Sequence, residues 1–337
     1  MHADGPSGER AMIVIDGHLD LAMNALLWNR DLRQGAHAIR KQEAGMSGKG
    51  RGRGTVGLPD LRAGNVAVVL ATVIARVNPA GTSYLDVRTP EIAYAQAQGQ
   101  LAYYRELERQ GAVRLITDGA ALTRHLADWQ RAPDETPIGI VLCMEGADPI
   151  VAPEQLGAWR EDGLRIVGLA HYGPSAYAHG TGVSGPLTAR GRRLLDEMAR
   201  AGMILDTVHL AEESFREALE RFPGPVIASH GNCRALVPGD RQLSDEMLRA
   251  LIERGAVIGA ALDAWMLYPG WVRGETQPEV VSLEAVVDHI DHVCQLAGNA
   301  DHAAIGTDLD GGFGTEQCPR DLDTIADVQR IPDMLRA

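Results

Sequence analysis

Short apolar runs rich in β-branched residues recur along the chain, separated by longer stretches with helical periodicity. The runs lie at 12–16 (MIVID), 66–74 (VAVVLATVI), 138–144 (IGIVLCM) and 165–170 (RIVGLA), then at 203–206 (MILD), 225–229 (PVIAS), 256–262 (AVIGAAL) and 303–307 (AAIGT). Between them, 91–110, 188–201, 211–221, 243–254 and 281–297 pattern as amphipathic helices. Thr188 is placed to cap the second of these, and Gly202 to end it in the left-handed conformation. Strand-then-helix alternation is the signature of βα units on a parallel sheet. Eight such strands are what a closed barrel requires, so the expected fold is an α/β, (β/α)8 TIM-type barrel of the metallo-dependent hydrolase kind. No internal sequence repeat interrupts the pattern.

One segment departs from it. Residues 35–64 contain GMSGKGRGRGTVG, whose glycines and like charges offer little surface to bury. The expectation is one barrel domain over 1–337 with a mobile loop at 35–64, either a disordered excursion or a lid over the site.

Composition narrows the function classes. The chain has 337 residues, 45% of them hydrophobic, a net charge of -13 and a pI near 5.3. An acidic surface repels phosphate, which argues against nucleic acid as a partner. Residues 1–10 are polar, without the apolar stretch of a signal peptide. No apolar run approaches the ~20 residues that span a bilayer. Cys143, Cys233, Cys294 and Cys318 are scattered, with no CxxC pair, and read as reduced thiols. A cytoplasmic protein without a membrane partner is expected. The two lysines, Lys41 and Lys49, fall in the Gly-rich region and not at a strand end. Neither a Schiff-base lysine nor a carbamylated lysine bridging two metals is therefore expected.

The candidate chemistry lies where the strands end. The first strand delivers Asp16, His18 and Asp20, the third Glu145, the fourth His171 and the fifth Asp206 and His209. The sixth delivers His230, and the eighth Asp308 and Asp310. In a parallel barrel all strand ends share the face that carries the active site, so these residues would converge on one cavity. The remaining internal histidines, His37, His125, His179, His289, His292 and His302, fall in helices or loops and read as solvated. Imidazole and carboxylate donors without thiolates suit zinc, with manganese, iron or cobalt as alternatives. His18 and Asp20, two residues apart, can address one ion, while His209 and His230 can supply a second. Glu145, as the one strand-end glutamate, has two oxygens with which to bridge them. Two ions ~3.5–4 Å apart share a hydroxide and clamp a developing tetrahedral intermediate.

Several stretches carry a more specific pattern: DGHLD at 16–20, MEG at 144–146, and His171 before a long Gly-containing loop. GPLTARGRRLLDEMARAGMILDTVH follows at 185–209, PVIASHGNCRAL at 225–236, DRQLSDEM at 240–247 and GTDLDGG at 306–312. Over about 10–320 the chain resembles the renal (membrane) dipeptidase family, peptidase family M19, in a bacterial-type soluble form. The resemblance implies two Zn2+ per chain, one on His18, Asp20 and Glu145, the other on Glu145, His209 and His230. It implies His171 as a contact to the substrate carbonyl or tetrahedral oxygen and Asp308 as acid/base. Arg241 would hold the terminal carboxylate, a task suited to the guanidinium fork. The implied reaction is hydrolysis of a dipeptide, L–D dipeptides included, by a metal-bridging hydroxide, in a homodimer.

Two other readings compete with this one. A binuclear barrel hydrolase could act on lactones, cyclic amides or β-lactams, although most amidohydrolases carry His-x-His on the first strand where this chain has His18-Leu19-Asp20. A catalytically silent accessory barrel would be expected to have lost a ligand or Asp308, and the full set is present.

Overall fold

The computed structural model describes residues 12–336; the expectation for the amino terminus, 1–10, lies outside the described residues. Each of the eight apolar runs contains a strand: β1 (Val14–Leu19), β2 (Val66–Val73), β3 (Ile138–Met144), β4 (Ile166–Gly168), β5 (Ile204–Asp206), β6 (Val226–Ile227), β7 (Ile258–Ala260) and β8 (Ala303–Ile305). β1 runs three residues beyond the expected end, so His18 lies within the strand. β1 to β6 form one parallel sheet in chain order. Ile15 sits opposite Val68, Val69 opposite Ile140, Cys143 opposite Ile166, Val167 opposite Leu205 and Asp206 opposite Ile227. A short strand with no counterpart in the sequence reading, Val113–Leu115, pairs with the first half of β3.

β7 and β8 form a parallel pair of their own. An isolated bridge between Ala228 and Ile258 links it to the end of β6. On the far side, Asp308 N donates to His18 O at 3.2 Å. The result is a curled parallel sheet consistent with a TIM-like barrel. Close backbone approach tightens the curl where β6, β7 and β8 meet. A Cβ on Gly306 or Gly259 would stand 1.8 or 2.1 Å from the Ser229 carbonyl oxygen, so both positions require glycine.

Helices cover the outside. In Pro90–Arg109, Thr89 caps Ile92 N, and Ala93, Ala97, Leu101 and Tyr104 bury one stripe. Tyr104 Oη accepts from Ala22 N (3.0 Å) and donates to Thr72 O (2.8 Å), tying this helix to the end of β2. In Ala189–Arg200, Thr188 accepts from Gly191 N at 3.0 Å and Gly202 follows at φ 62, as the capping pattern predicts.

Two expectations need correction. Segment 35–64 carries secondary structure of its own, the helices Ala36–Gln42 and Leu58–Ala63. Part of its charge is held in a buried network that reaches beyond the segment. Buried Glu43 pairs with Arg30 (2.9 Å) and Arg51 (2.8 Å), and Arg30 reaches Asp310 (3.1 Å). Asp310 also accepts from Thr55 N (2.8 Å), Thr55 Oγ1 (2.8 Å) and Val56 N (3.2 Å). Among the histidines read as solvated, His37 is exposed, but His125 and His289 are buried. His125 Nε2 bonds Ala67 O (2.9 Å), and His289 Nδ1 accepts from Cys233 N (3.0 Å).

Candidate metal centre

β1 and the segments after β3, β4, β5, β6 and β8 bring seven of the predicted residues to one cavity. Glu145 is its hub. One carboxylate oxygen, Oε1, lies 3.2 Å from His209 Nε2, 3.3 Å from His230 Nε2, 3.7 Å from His18 Nε2 and 3.9 Å from His171 Nε2. His18 Nε2 is also 3.8 Å from Asp20 Oδ1 and 3.9 Å from Asp308 Oδ1. Three donor sets therefore converge, each with its ligand atoms within 4.8 Å of one another: His18, Glu145 and His230; Glu145, His171 and His209; His18, Asp20 and Asp308. His18, Asp20, Glu145, His209 and His230 are buried, while His171 and Asp308 face the cavity with partly open side chains.

The far nitrogens are held by hydroxyls. His209 Nδ1 meets Thr181 Oγ1 at 3.1 Å and His230 Nδ1 meets Ser229 Oγ at 2.8 Å, which leaves both Nε2 atoms directed at Glu145. A second partner that fixes the tautomer is what a metal-ligating histidine needs. Thr72 Oγ1 donates to Asp20 Oδ1 and steadies that carboxylate. His209 and Asp308 adopt left-handed backbone, φ 64 and 57, a conformation costly for residues with a Cβ. Their neighbours hold them there: Thr181 Oγ1 bonds His209, and the Asp308 amide is tied to β1.

Charge makes the case for a cation. Burial holds His18 down at about 3, and holds His171, His209 and His230 well below the usual imidazole range, so all four are neutral donors. Burial, followed by the charges of Asp20 and Asp308, pushes the Glu145 carboxyl well up. Burial and Asp20 do the same to Asp308, and burial lifts Asp20 to about 6. Among the described residues, no lysine or arginine forms an ion pair with any of the three. The buried His18 Nε2 has no hydrogen-bond partner among the described residues. Carboxylates crowded together beside bare imidazole nitrogens are stabilised when divalent cations sit among them, so the residues fit a metal site.

Other strand-end candidates serve the scaffold. Asp16 accepts from His18 N (3.1 Å), Thr307 N (2.8 Å) and Thr307 Oγ1 (2.6 Å), pinning β1 to the segment after β8. Asp206 accepts from Ser229 N (3.1 Å), and Asp310 belongs to the Arg30 network. Arg241, 4% exposed, donates to His230 O at 2.8 Å and forms no ion pair among the described residues, which leaves guanidinium donors for the cavity it lines.

The cavity itself holds about 230 Å³. That is below the ~300–1,000 Å³ typical of drug-sized ligand pockets and suits a small substrate.

A sequence profile of the membrane dipeptidase family, peptidase family M19, matches residues 9–337. The chain belongs to that family. It is a metallo-dipeptidase, a hydrolase of peptide bonds. An uncharacterised protein from the pqqA 5′ region of Klebsiella pneumoniae is 30% identical over 249 residues, 71% of this chain and 86% of that one. In fold, this metallo-dipeptidase resembles dipeptidase AC, described as an M19 metallopeptidase, with TM-score 0.78 and 24% identity over 97% of this chain and 92% of that one. It also resembles a metallopeptidase from Rhodobacter sphaeroides liganded with a phosphinate mimic of L-Ala-D-Ala, with TM-score 0.77 and 23% identity over 97% and 93%.

The dipeptidase cavity also contains residues that sequence reasoning passed over. Asp263 lines it just after β7, at the same strand-end position that singled out the others, and burial lifts it to about 6. Lys49, Tyr84 and Arg273 reach it from loops, where no periodicity marks them.

Proposed function

We propose that this metallo-dipeptidase works with two zinc ions on a closed eight-stranded barrel, His18, Asp20 and Glu145 holding one and Glu145, His209 and His230 the other. The observation that carries this reading is the single Glu145 oxygen within 3.2–3.9 Å of four imidazole nitrogens, three of them on buried histidines. Bound there, zinc supplies water activated as a nucleophile at neutral pH and a Lewis acid for the peptide carbonyl.

The chain's own residues do the rest. Asp308, at the cavity edge with a carboxyl held up by burial, takes the proton of the attacking water and delivers it to the leaving amine. His171 places a neutral imidazole beside the carbonyl oxygen and stabilises it as charge develops. Arg241 binds the terminal carboxylate of the substrate through its free guanidinium donors. With the amino end against the metals and the carboxylate on Arg241, the site measures a dipeptide from both ends and excludes a tripeptide. A D-residue at the second position is accommodated, as the L-Ala-D-Ala mimic bound by the Rhodobacter sphaeroides structure suggests. The segment around Lys49 acts as a lid at the cavity mouth. We assign the protein to the cytoplasm as a homodimer; among the described residues no helix is long and apolar enough to cross a membrane. No specific observation favours a lactone, cyclic-amide or β-lactam hydrolase.

Hydrolysis of an L–L and L–D dipeptide set by zinc-loaded and chelator-stripped protein tests the reading. Cleavage of dipeptides that depends on metal and spares tripeptides is expected. Equal cleavage by the stripped protein, or of tripeptides, would contradict it.

A further inference from the structure

Three cationic side chains without an ion-pair partner among the described residues line the dipeptidase cavity, and the hydrolysis proposed above uses one of them. Arg241 is taken by the terminal carboxylate. Lys49 and Arg273, both exposed, line the same cavity from the Gly-rich segment and from the loop beyond β7. Neither forms an ion pair with a described carboxylate. By contrast, the fourth cation of the cavity, Arg76, is neutralised by Asp86 at 2.6 Å.

Their placement is specific. The Arg273 guanidinium lies over the Trp265 ring at 4.7 Å, which holds a long side chain against the wall. Tyr172, which lines the cavity, stands in the field of both Arg241 and Arg273, so the two belong to the same end of it. Lys49 stands in the field of Arg273. Of the carboxylates nearby, Asp263 is shared by both cations and is already bonded by Gln317 Nε2 at 2.6 Å, while Lys49 also stands in the field of Glu316 and Asp308. Among the described residues neither cation is closely paired with any of these carboxylates, and both line the cavity that Arg241 lines.

We propose that Lys49 and Arg273 form a second anion subsite, which selects dipeptides whose C-terminal residue is acidic. Resting on the dipeptidase reading, it assigns the substrate class: the α-carboxylate goes to Arg241, and the side-chain carboxylate of Asp or Glu goes to Lys49 and Arg273. Arg273 offers a fork for two parallel hydrogen bonds, and Lys49 a point charge on a flexible stem that adapts to side-chain length and to either stereochemistry at that residue.

The test is kcat/KM of the zinc-loaded enzyme for Ala-Glu, Ala-Gln and Ala-Lys, each with L and D C-terminal residues. Ala-Glu should exceed Ala-Gln by about ten-fold, the gain expected from a charge-assisted contact at a partly open site. The gain should appear mainly in KM and shrink with added salt. In the double variant Lys49→Glu/Arg273→Glu, the ratio of Ala-Glu to Ala-Lys should invert. Both residues are exposed on loops, and zinc content and melting temperature check that the variant is folded. Equal rates for the three dipeptides, or an unchanged order in the double variant, would overturn the subsite while leaving the dipeptidase reading intact. Failure to cleave any of the three would bring down both.

Discussion

Two buried charged clusters share this protein, and they differ in one respect. Around Arg30, each charge has an opposite: Glu43 pairs with Arg30 and Arg51, and Asp310 with Arg30 and the Thr55 and Val56 amides. Around Glu145, three carboxylates face one another and four neutral imidazoles, with no cation paired to them among the described residues. The first cluster is complete without a ligand and holds 30–56 against the end of β8. The second is complete only when cations enter. Burial of charge alone does not mark a functional site; burial left unbalanced does.

The largest expected effect belongs to the unbalanced cluster. Asp308→Asn should retain bound metal while turnover falls by about 10²–10⁴-fold, the usual worth of a positioned proton-transfer group. Metal analysis beside dipeptide kinetics checks this, and wild-type turnover would remove Asp308 from the mechanism. The balanced cluster should answer in stability. Arg30→Met takes from buried Glu43 and Asp310 the cation they share, so unfolding in denaturant should show a loss of about 3–5 kcal/mol, the same with and without metal. A loss that vanished on adding zinc would erase the distinction between the two clusters.

A pH effect of similar size is expected outside both. Burial lowers His289 to about 4, below its unfolded value of 6.5. The neutral ring is favoured in the fold, so full stability is present above pH 6.5 and is lost as pH falls toward 4. The loss amounts to about 3 kcal/mol. His289→Asn, which keeps an acceptor for Cys233 N, should flatten that slope in urea titrations across the range. The smallest effect concerns the hydroxyls behind the ligands. Ser229→Ala and Thr181→Val should each weaken zinc affinity by about 10–100-fold without abolishing binding, measured by competition with a chelator.

The same contrast explains what the sequence disclosed. The strands were legible because a strand buried on both faces must be a short apolar run, and each of the eight lies where its run lies. The cluster around Glu145 was legible because parallel strands bring their ends together whatever lies between, so His18, Glu145, His209 and His230 needed no distance information to be placed in one cavity. Asp263 obeyed the same rule and was overlooked beside a strand read to Leu262. The Arg30 cluster was not legible, because Arg30 and Thr55 find a partner as remote as Asp310, and a Gly-rich basic stretch looks unpartnered when read locally. His125 and His289 were misread for a related reason. Their signal lay in helical spacing, His125 with Trp129 and His289 with Val286, Ile290 and Val293, all on buried faces. Lys49 and Arg273 lie on loops, and only three-dimensional structure brings them to the cavity.

The most direct test of the central claim is metal stoichiometry by titration of chelator-stripped protein with zinc, wild type beside Glu145→Gln. The account predicts two ions per wild-type chain with a rise in melting temperature, and in Glu145→Gln the loss of at least one ion and most of that rise. A wild-type chain that binds no zinc, or a Glu145→Gln chain that binds two ions as tightly, would contradict it.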